Sequence, residues 1–348
     1  MSGSGKAARV TGFLESELPV VAAPMAGGPT TVALVGAVLG AGGFPFLAAG
    51  YKTAEAMGAE VRRVREFGGA FGVNLFVPGW DAVDPAAFRA YAAELAPEAA
   101  SLGADLNPEP VLDDDDAWPD KLAFLLAEPV PVVSLTFGLP DPREIAALQH
   151  VGSRVLATVT SAAEAKAAHA AGVDGLVVQA PAAGGHSGMH ELRTLSEVSA
   201  ADLVREVKAA ADLPIVAGGG VRTPDDIRTL LQAGAEAAAV GTLLLRTEES
   251  GASQTHKDAL ADPAFTETTI THSFTGRPAR GLRNGFIDRH EATAPYGYPA
   301  IHHLTRPMRQ AAAKAGDADR LHLWAGTGFR AAREGSAADV VRDLATGL

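Results

Sequence analysis

Eight short apolar runs, separated mostly by segments of helical character, constrain the fold of this chain more than any other feature. Each run holds four to six small or β-branched apolar residues, as expected for a strand buried on both faces. The runs begin near Leu18, Ala41, Gly69, Pro131, Arg154, Asp174, Leu213 and Ala237. Strands that alternate with helices in this way predict an α/β fold built on a parallel sheet.

A repeated junction supports this count of strands. Three helical segments end in glycine just before a strand, at Gly40, Gly172 and Gly234, and glycine adopts the left-handed helix-cap conformation at little cost. Eight β/α units in about 230 residues match a (β/α)8 TIM barrel. A doubly wound open sheet is the competing architecture, because the number of strands alone does not exclude it.

The rhythm of strands and helices divides the chain into three regions. Residues 1–17 form an N-terminal segment, and residues 18–246 form the barrel. Residues 78–128 are too long for an ordinary connection, so we expect an excursion after the third strand, with one helix near Pro85–Ala96. The acidic run Asp113–Asp116 is interpreted as a solvated loop rather than a cation site. Residues 247–348 are expected to form a mainly helical region that covers the active site.

Charge and composition exclude several classes of function. The formal charge of −12 argues against a nucleic-acid partner or a basic membrane-surface protein. The absence of cysteine rules out disulfides, thiolate catalysis and cysteine-ligated metals. The polar start of the sequence lacks the apolar core of a signal peptide, and no apolar stretch reaches the roughly 18 residues of a membrane span. A cytoplasmic location is therefore the default expectation.

The loop after the sixth strand, Gln179–Gly188, carries the first candidate for chemistry. It holds one imidazole, His186, among the glycines Gly184, Gly185 and Gly188. Glycines permit backbone conformations and close approaches that a side chain would block, so such a loop suits a flat ligand with a histidine beside it. An idle histidine in a flexible loop is the alternative at this stage.

The strand ends that follow predict a phosphate site. Loops after the seventh and eighth strands of such barrels commonly bind phosphate. Gly218, Gly219 and Gly220 precede a helix start, and Gly241-Thr242 supplies further backbone N–H groups and a hydroxyl. Turn geometry alone is the alternative reason for these glycines.

Two amides lie at the predicted strand ends, Asn74 and Gln179. Amides both donate and accept hydrogen bonds, which suits the polar edge of a heterocycle such as a flavin. Either amide could instead satisfy buried backbone groups.

The remaining histidines predict no metal site. His150 and His169 lie on predicted helices away from the strand ends, and His290, His302 and His303 lack the spacing of a helical metal pair. Surface or packing roles are expected for all five.

Six motifs resemble, in order along the chain, those of the nitronate monooxygenases, formerly called 2-nitropropane dioxygenases, which are FMN-dependent TIM-barrel enzymes. The motifs are Val21–Gly28, Phe71–Pro78, Ala182–Gly188, Ile215–Gly220, Val240–Thr242 and Thr275–Arg283. The resemblance implies oxidation of alkyl nitronates, such as propionate 3-nitronate, by O2 to a carbonyl compound and nitrite. It implies no metal.

Carried over by position, the resemblance implies FMN contacts and one catalytic residue. The FMN contacts would be Ala23, Pro24, Met25, Asn74, Gln179, Gly184, Gly185, Gly218, Gly219, Gly220, Ala239, Val240, Gly241 and Thr242. His186 would lie near the reactive face of the flavin, as a base or as a positive charge. Arg277, Arg280 and Arg283 could attract the anion. Where some members carry a histidine at the end of the fifth strand this chain has Ala157, so no catalytic role is assigned to that strand.

Two alternatives stay open from the sequence. Flavin-dependent enoyl-ACP reductases share the barrel and a similar Gly-Gly-His loop, but they reduce an enoyl thioester with NAD(P)H. A flavin-binding or phosphate-ligand-binding barrel without turnover is the alternative of another class. The sequence is compatible with a homo-oligomer and does not fix the state of assembly.

Overall fold

The computed structural model of the chain describes residues 12–79, 82–192 and 197–348. The strands among them are β1 (Val20–Ala22), β2 (Phe44–Ala48), β3 (Gly72–Phe76), β4 (Val132–Thr136), β5 (Arg154–Val159), β6 (Gly175–Gln179), β7 (Gly185–His186), β8 (Ile215–Gly218), β9 (Ala237–Val240), β10 (Thr268–Thr271) and β11 (Ala279–Leu282). The eight parallel strands, β1 to β6 with β8 and β9, coincide with the eight apolar runs.

These eight strands close into a barrel in sequence order. The closing pair is β1 with β9, where Val21 lies opposite Ala239 in parallel register. An open doubly wound sheet would leave these two strands unpaired, so the alternative architecture is excluded. The prediction of a (β/α)8 barrel is confirmed.

Helices surround the barrel and continue beyond it. They are α1 (Val32–Gly40), α2 (Ala54–Arg65), α3 (Pro85–Ser101), α4 (Trp118–Ala127), α5 (Pro142–His150), α6 (Ala162–Ala170), α7 (Ala200–Ala210), α8 (Pro224–Ala233), α9 (Gln254–Ala261), α10 (Gly285–His290), α11 (Ala300–Ala315) and α12 (Ala337–Leu344). Side chains such as Thr53, Ser161 and Thr223 accept a hydrogen bond from the first turn of their helix, which satisfies N–H groups that have no partner within the helix.

The last helix returns to the barrel. Helix α12 packs between α8 and α1, on the outside of the barrel where the last strand, β9, pairs with the first, β1. It thereby completes the ring of barrel helices formed by α1, α2 and α4 to α8. The part of the chain that leaves the barrel is therefore residues 247–336, which we call the extension.

Two apolar layers hold the barrel together. Inside it, Phe44 and Phe46 fill the space between strands, and a Cβ at Gly72 would come within 2.2 Å of the Phe46 ring. Outside it, strand residues such as Val73 and Leu176 pack against the helices. Burying these side chains stabilises the fold by roughly 1.5–3 kcal/mol each before entropy is counted.

The excursion after β3 contains two helices rather than the single one predicted. Helix α3 packs on the extension, where Phe88 and Tyr91 form a separate apolar cluster with Phe286 and Ile301. Helix α4 was not predicted, and it is the third barrel helix, packed against α2 and α5. Trp80 and Asp81, and most of the predicted N-terminal segment, lie outside the described residues.

The extension also contains strands that the sequence did not predict. Strands β10 and β11 pair in antiparallel fashion, and β11 pairs in turn with β7, placing Ala279 opposite His186. A three-stranded sheet therefore ties the extension to the loop that carries the candidate histidine.

Candidate active site

The predicted site residues lie at the carboxyl ends of the barrel strands, along one edge that we call the rim. Pro24 and Met25 follow β1, Asn74 lies in β3, and Gln179 ends β6. Gly219-Gly220 follow β8, and Gly241-Thr242 follow β9. The Ala23 N–H donates to the Val240 carbonyl across the closing strands. The barrel thus brings together residues that are up to about 220 positions apart in the sequence, as expected for a (β/α)8 fold.

The loops after β8 and β9 present unpaired backbone donors. The N–H groups of Gly219, Gly220, Gly241 and Thr242 have no acceptor among the described residues. Gly219 and Gly220 have φ values of +132° and +76°, conformations that favour glycine. Converging N–H groups of this kind can bind a phosphate without a lysine.

A segment of the extension, Ala325–Gly328, completes these loops. The Gly326 N–H donates to Thr242 Oγ1 at 2.9 Å, and the Thr327 N–H donates to the Ala182 carbonyl at 3.0 Å. The sequence did not indicate this segment, because only the packing of the extension on the rim brings it there.

Gly184 and Gly185 have different structural reasons for being glycine. A Cβ at Gly184 would lie 2.5 Å from the Gly326 nitrogen, so the extension's backbone occupies the space that a side chain would need. Gly185 has a φ of +77° and open space around it. The predicted close approach of a flavin at these glycines stays a prediction.

Asn74 is a buried amide with one free end. Its Nδ2 donates to the hydroxyl groups of Ser134 and Thr136, each at 2.9 Å. Its Oδ1 has no donor among the described residues and is not one of their enclosed unpartnered atoms. An acceptor is therefore left open at the rim.

Gln179 uses both ends of its amide within the loop. Its Nε2 donates to the His186 carbonyl at 2.9 Å, and its Oε1 accepts from the Gly188 N–H at 2.6 Å. The amide thus satisfies buried backbone, which was one of the two expectations, and it fixes the position of His186.

The protonation of His186 follows from its hydrogen bond. Its Nε2 lies 2.9 Å from Thr275 Oγ1, and that hydroxyl is also 3.2 Å from the Arg277 carbonyl. A carbonyl only accepts, so the hydroxyl donates to it, and His186 Nε2 donates to the hydroxyl. The other nitrogen, Nδ1, is therefore an acceptor, and it has no partner among the described residues.

The electrostatics keep the His186 ring neutral. Withdrawal from water, followed by the positive charges of Arg277 and Arg309, lowers the pKa of His186 to about 3. In the absence of a bound anion, His186 is therefore an uncharged imidazole at neutral pH.

The three arginines suggested as anion attractors have different surroundings. Arg277 is buried, with its guanidinium 4.4 Å from the centre of the Phe137 ring and bonded to backbone carbonyls of the 187–189 loop. Arg280 donates to the Pro181 carbonyl at 2.7 Å. Arg283 is exposed and paired with Glu267 and Asp288. Only the first of them adds charge next to His186.

Rings from three loops surround His186, and the sequence did not single them out. Tyr298 and Trp324 of the extension have ring centres 5.8 and 5.4 Å from that of His186, and Phe137 lies at 6.0 Å. The Tyr298 hydroxyl is 3.3 Å from that of Tyr51. Tyrosine directly after a predicted strand end, as at Tyr51, was the one available signal.

Tyr51 and Phe137 are held in a backbone conformation that side chains rarely adopt, with φ values of +66° and +79°. Such a conformation costs on the order of 1–3 kcal/mol and persists only where surrounding contacts enforce it. Both residues follow barrel strands. We call the region bounded by the rings of Tyr51, Phe137, His186, Tyr298, His302 and Trp324 the pocket.

The acidic run is a loop, as interpreted from the sequence, but it is only partly solvated, since Asp113 is exposed while Asp116 is partly buried. Asp116 Oδ1 accepts from the Tyr51 N–H at 2.7 Å, and its Oδ2 pairs with the buried Lys121 at 2.7 Å. Burial raises the pKa of Asp116 to about 6 despite the lysine. Asp114 pairs with His303. The run therefore holds Tyr51 and α11 in place, which its composition could not indicate.

The other histidines agree with the expectations except for His302. His150 and His169 are exposed. His290 lies between two carboxylates, with Nδ1 2.6 Å from Glu94 and Nε2 2.8 Å from Glu98, and it ties α10 to α3. His302 instead belongs to the pocket wall, stacked on the Tyr51 ring at 4.4 Å. Within the described residues no group of acids and histidines could hold a metal ion.

A cavity of about 180 Å³ lies at the end of the barrel opposite to the rim and is lined by residues such as Phe13, Leu18 and Glu236. It has no histidine, and residues 1–11, which precede its wall, are outside the described chain. Volume is therefore a poorer guide here than the convergence of polar groups at the rim.

Comparison with known proteins gives one consistent result. A family model described as nitronate monooxygenase matches residues 8–347. A protein of Staphylococcus saprophyticus named probable nitronate monooxygenase is 33% identical over 346 residues, which cover 97% of this chain and 96% of the relative.

Solved structures give the same result. A nitroalkane oxidase from Streptomyces ansochromogenes superposes with a TM-score of 0.89 at 47% identity, over 95% of each chain. FabK from Thermotoga maritima superposes with a TM-score of 0.69 at 22% identity, over 95% of this chain and 92% of that one, which shows a shared fold alone. Among the described residues, no helix has the length and apolar character needed to cross a bilayer.

Proposed function

The chain belongs to the nitronate monooxygenase family, and on that premise we propose that it binds FMN and oxidises alkyl nitronates, such as propionate 3-nitronate, with O2. Membership makes the chain a flavin-dependent oxidoreductase that acts on nitronates or nitroalkanes. The proposal adds the identity of the flavin, the substrate and the products. In balanced form, two nitronates and one O2 give two carbonyl compounds and two nitrites.

The rim fits an FMN molecule. Four N–H groups without acceptors, at Gly219, Gly220, Gly241 and Thr242, match a phosphate dianion. The free Oδ1 of Asn74 is an acceptor for a ring N–H. No acidic side chain among the described residues bonds to these four N–H groups; the Asp226 carboxylate that follows the first loop accepts from the N–H groups of Arg222 and Thr223 instead. This set of unpaired backbone donors is the observation that carries the cofactor proposal.

When bound, the flavin supplies the electron acceptor for the substrate and the route by which electrons reach O2. The chain's own residues bind and orient the substrate. His186 presents the unprotonated Nδ1 to the pocket, while Gln179 and Thr275 hold its backbone and its ring.

The neutral state of His186 supports one of the two roles considered for it. A nitronate is an anion and needs positive charge more than it needs a base. With a pKa of about 3, His186 does not supply that charge in the free protein, whereas the buried guanidinium groups of Arg277 and Arg309 remain protonated. We therefore propose that the arginines supply the charge. When the substrate is a neutral nitroalkane, we propose that His186 accepts its proton, because the nitronate anion formed beside the ring raises the pKa of the imidazole.

The test is anaerobic reduction of the bound flavin. The purified protein should be yellow and should release FMN on denaturation. Propionate 3-nitronate should bleach the flavin without O2, and aerobic turnover should release nitrite without consuming NADH. The signal is the absorbance of the flavin, with nitrite measured separately.

Three results would contradict the proposal, each in a different way. A colourless protein that cannot be reconstituted with FMN would remove the cofactor. NADH-dependent reduction of a crotonyl thioester, with no nitronate oxidation, would favour an enoyl reductase. A protein that binds flavin but is reduced by neither donor would be a barrel without turnover.

A further inference from the structure

Arg309 is a buried cation with no acidic partner among the described residues. It is 6% exposed, and its Nε donates to Thr305 Oγ1 at 3.0 Å while its Nη2 donates to the His302 carbonyl at 2.8 Å. Nη1 lies 3.5 Å from His322 Nε2. All these partners are neutral acceptors. A buried charge normally has a partner of opposite sign, because leaving water costs it several kcal/mol.

Arg309 also determines which nitrogen of His302 carries the proton. Its Nη2 lies 3.2 Å from His302 Nδ1. A guanidinium only donates, so Nδ1 accepts and the ring proton is on Nε2. Adding a second proton would place two N–H groups against each other, and burial together with the charge of Arg309 keeps the pKa of His302 well below its ordinary value.

The Nε2–H of His302 has no acceptor among the described residues, although the residue is only 6% exposed. It is not one of the enclosed atoms that lack a partner, so it opens onto accessible space. The His302 ring stacks on Tyr51 at 4.4 Å and meets the edge of Tyr298 at 6.1 Å. Tyr298 in turn contacts His186. The free donor thus belongs to the pocket that His186 faces.

We infer that His302 Nε2–H donates a hydrogen bond to an oxygen of the anionic substrate, and that Arg309 is the positioning residue that holds His302 in this form. The inference rests on the proposed function, because the anion is taken to be a nitronate. The substrate then lies between a fixed donor on α11 and the acceptor Nδ1 of His186. The guanidinium behind His302 gains its missing counter-charge when the anion binds.

Several charged or titratable groups face His302 from the elements packed around it. They are Arg309 and His303 on α11, His186 on β7, His322 in the segment of the extension after α11, and the hydroxyls of Tyr51 and Tyr298. Within the described part of the chain, only Arg309 bonds to the His302 ring. Removing the guanidinium should therefore free Nδ1 to take up a proton.

The experiment measures nitrate binding to the flavin-loaded protein between pH 5.5 and 8, by the perturbation of the flavin absorbance and by thermal shift. Nitrate is a planar anion that resembles a nitronate and is not oxidised. The variants are Arg309→Met, Arg309→Lys and His302→Phe. Arg306→Met is the matched control, because Arg306 lies on the same helix with its side chain exposed.

The wild-type protein and Arg306→Met should bind nitrate with an affinity that changes little over this range. At pH 8, Arg309→Met and His302→Phe should bind it about tenfold more weakly, or worse, as expected on losing a hydrogen bond to a charged group. As the pH falls toward 5.5, binding by Arg309→Met should recover in part. Loss of the guanidinium raises the pKa of His302 and a bound anion favours its protonated form, while burial still holds that pKa below its ordinary value. Arg309→Lys should lie between the wild type and Arg309→Met.

Two results would overturn the inference. One is nitrate binding within twofold of wild type in both Arg309→Met and His302→Phe. The other is weaker binding by Arg309→Met that does not depend on pH and follows a loss of thermal stability, as a purely structural arginine would give. If Arg309→Met does not fold, Arg309→Lys and His302→Phe carry the same comparison.

Nitrate binding by the variants and anaerobic reduction of the flavin by nitronates, taken together, separate this inference from the proposed function. If nitronates reduce the flavin while the variants bind nitrate as the wild type does, the inference fails and the function stands. If nitrate binds with the expected pattern but no nitronate reduces the flavin, the function fails and the anion site stands.

Discussion

The rim and the extension contribute to one pocket with different chemistry. The rim offers mainly backbone, small side chains and an amide, at positions such as Gly219, Gly241 and Asn74. The extension offers rings and charge, at Tyr298, Trp324 and Arg309. Backbone donors suit a phosphate and a cofactor held in one pose, while side chains suit recognition of a small substrate. The two regions meet at His186, whose strand pairs with β11 of the extension.

His186 offers the strongest way to break this comparison, because it belongs to the rim yet faces the extension. We expect His186→Asn to lower kcat/KM for a neutral nitroalkane by about 10²–10⁴-fold, the usual range for loss of a general base. Flavin content should be unchanged, because the imidazole ring of His186 is not one of the groups proposed to bind the flavin phosphate. Steady-state nitrite release and the flavin spectrum measure the two effects.

His150→Asn is the control for this variant, because His150 is exposed on α5. Activity of His186→Asn within threefold of wild type would return His186 to the idle role that the sequence left open.

A glycine of the rim provides the second test. A Cβ at Gly219 would lie 2.8 Å from that of Ala180, so Gly219→Ala must shift the loop whose N–H groups we assign to phosphate. We expect flavin to bind about tenfold more weakly, which corresponds to about 1.4 kcal/mol. Flavin titration of the apoprotein measures the change.

Gly234→Ala is the control for Gly219→Ala, because it introduces similar backbone strain at a position away from the rim. Gly234 ends α8 with a φ of +112° and has only Lys208 Cγ nearby, at 3.6 Å. Both variants should lose stability on the order of 1–2 kcal/mol from the left-handed conformation. Equal flavin affinity in Gly219→Ala and Gly234→Ala would show that the loop after β8 does not hold the cofactor.

The smallest effect concerns the charge state of the extension. His256 is 7% exposed, its Nε2 donates to the Trp324 carbonyl at 3.1 Å, and burial lowers its pKa to about 4. In the unfolded chain the pKa is about 6.5. The unfolded state therefore takes up a proton first, so this contribution to stability is complete above about pH 6.5 and is lost as the pH falls toward 4.

His256→Gln should remove that dependence. We expect its free energy of unfolding to fall less than that of the wild type between pH 7 and 5, by up to about 1.4 kcal/mol per pH unit. Denaturant unfolding at pH 7, 6 and 5 measures the slope. His169→Gln, on the exposed face of α6, should keep the wild-type slope. An unchanged slope in His256→Gln would mean that acid acts on the extension through other groups.

Much of the barrel could be predicted because its signals are local. Apolar runs marked each strand, and glycines marked the helix ends before them. Helix α4 was missed although Pro119 in its first turn is compatible with a helix start. Its first cap, Ala117, makes no side-chain hydrogen bond and lies in a left-handed conformation, and the preceding acidic run indicated a loop. Strands β7, β10 and β11 were missed because they span two to four residues and exist only through pairing between distant segments.

The site divides in the same way. The rim residues were found because strand ends in a barrel must converge, whatever the details of packing. The roles of single side chains depended on their partners. Gln179 proved to hold backbone groups, and Asp116 proved to hold Tyr51. Neither role has a signature in the residues adjacent to it.

The sequence by itself determined the barrel, the edge at which its special residues meet and the family to which the chain belongs. These follow from periodicity, glycine placement and ordered motifs, which are properties of short segments. Only the tertiary structure decided what surrounds His186. The neutral ring of His186, the burial of Arg309 among neutral acceptors and the donor on His302 arise because the extension folds back over the rim and removes these groups from water. Protonation depends on burial and on neighbouring charge, and neither is defined until distant parts of the chain pack together.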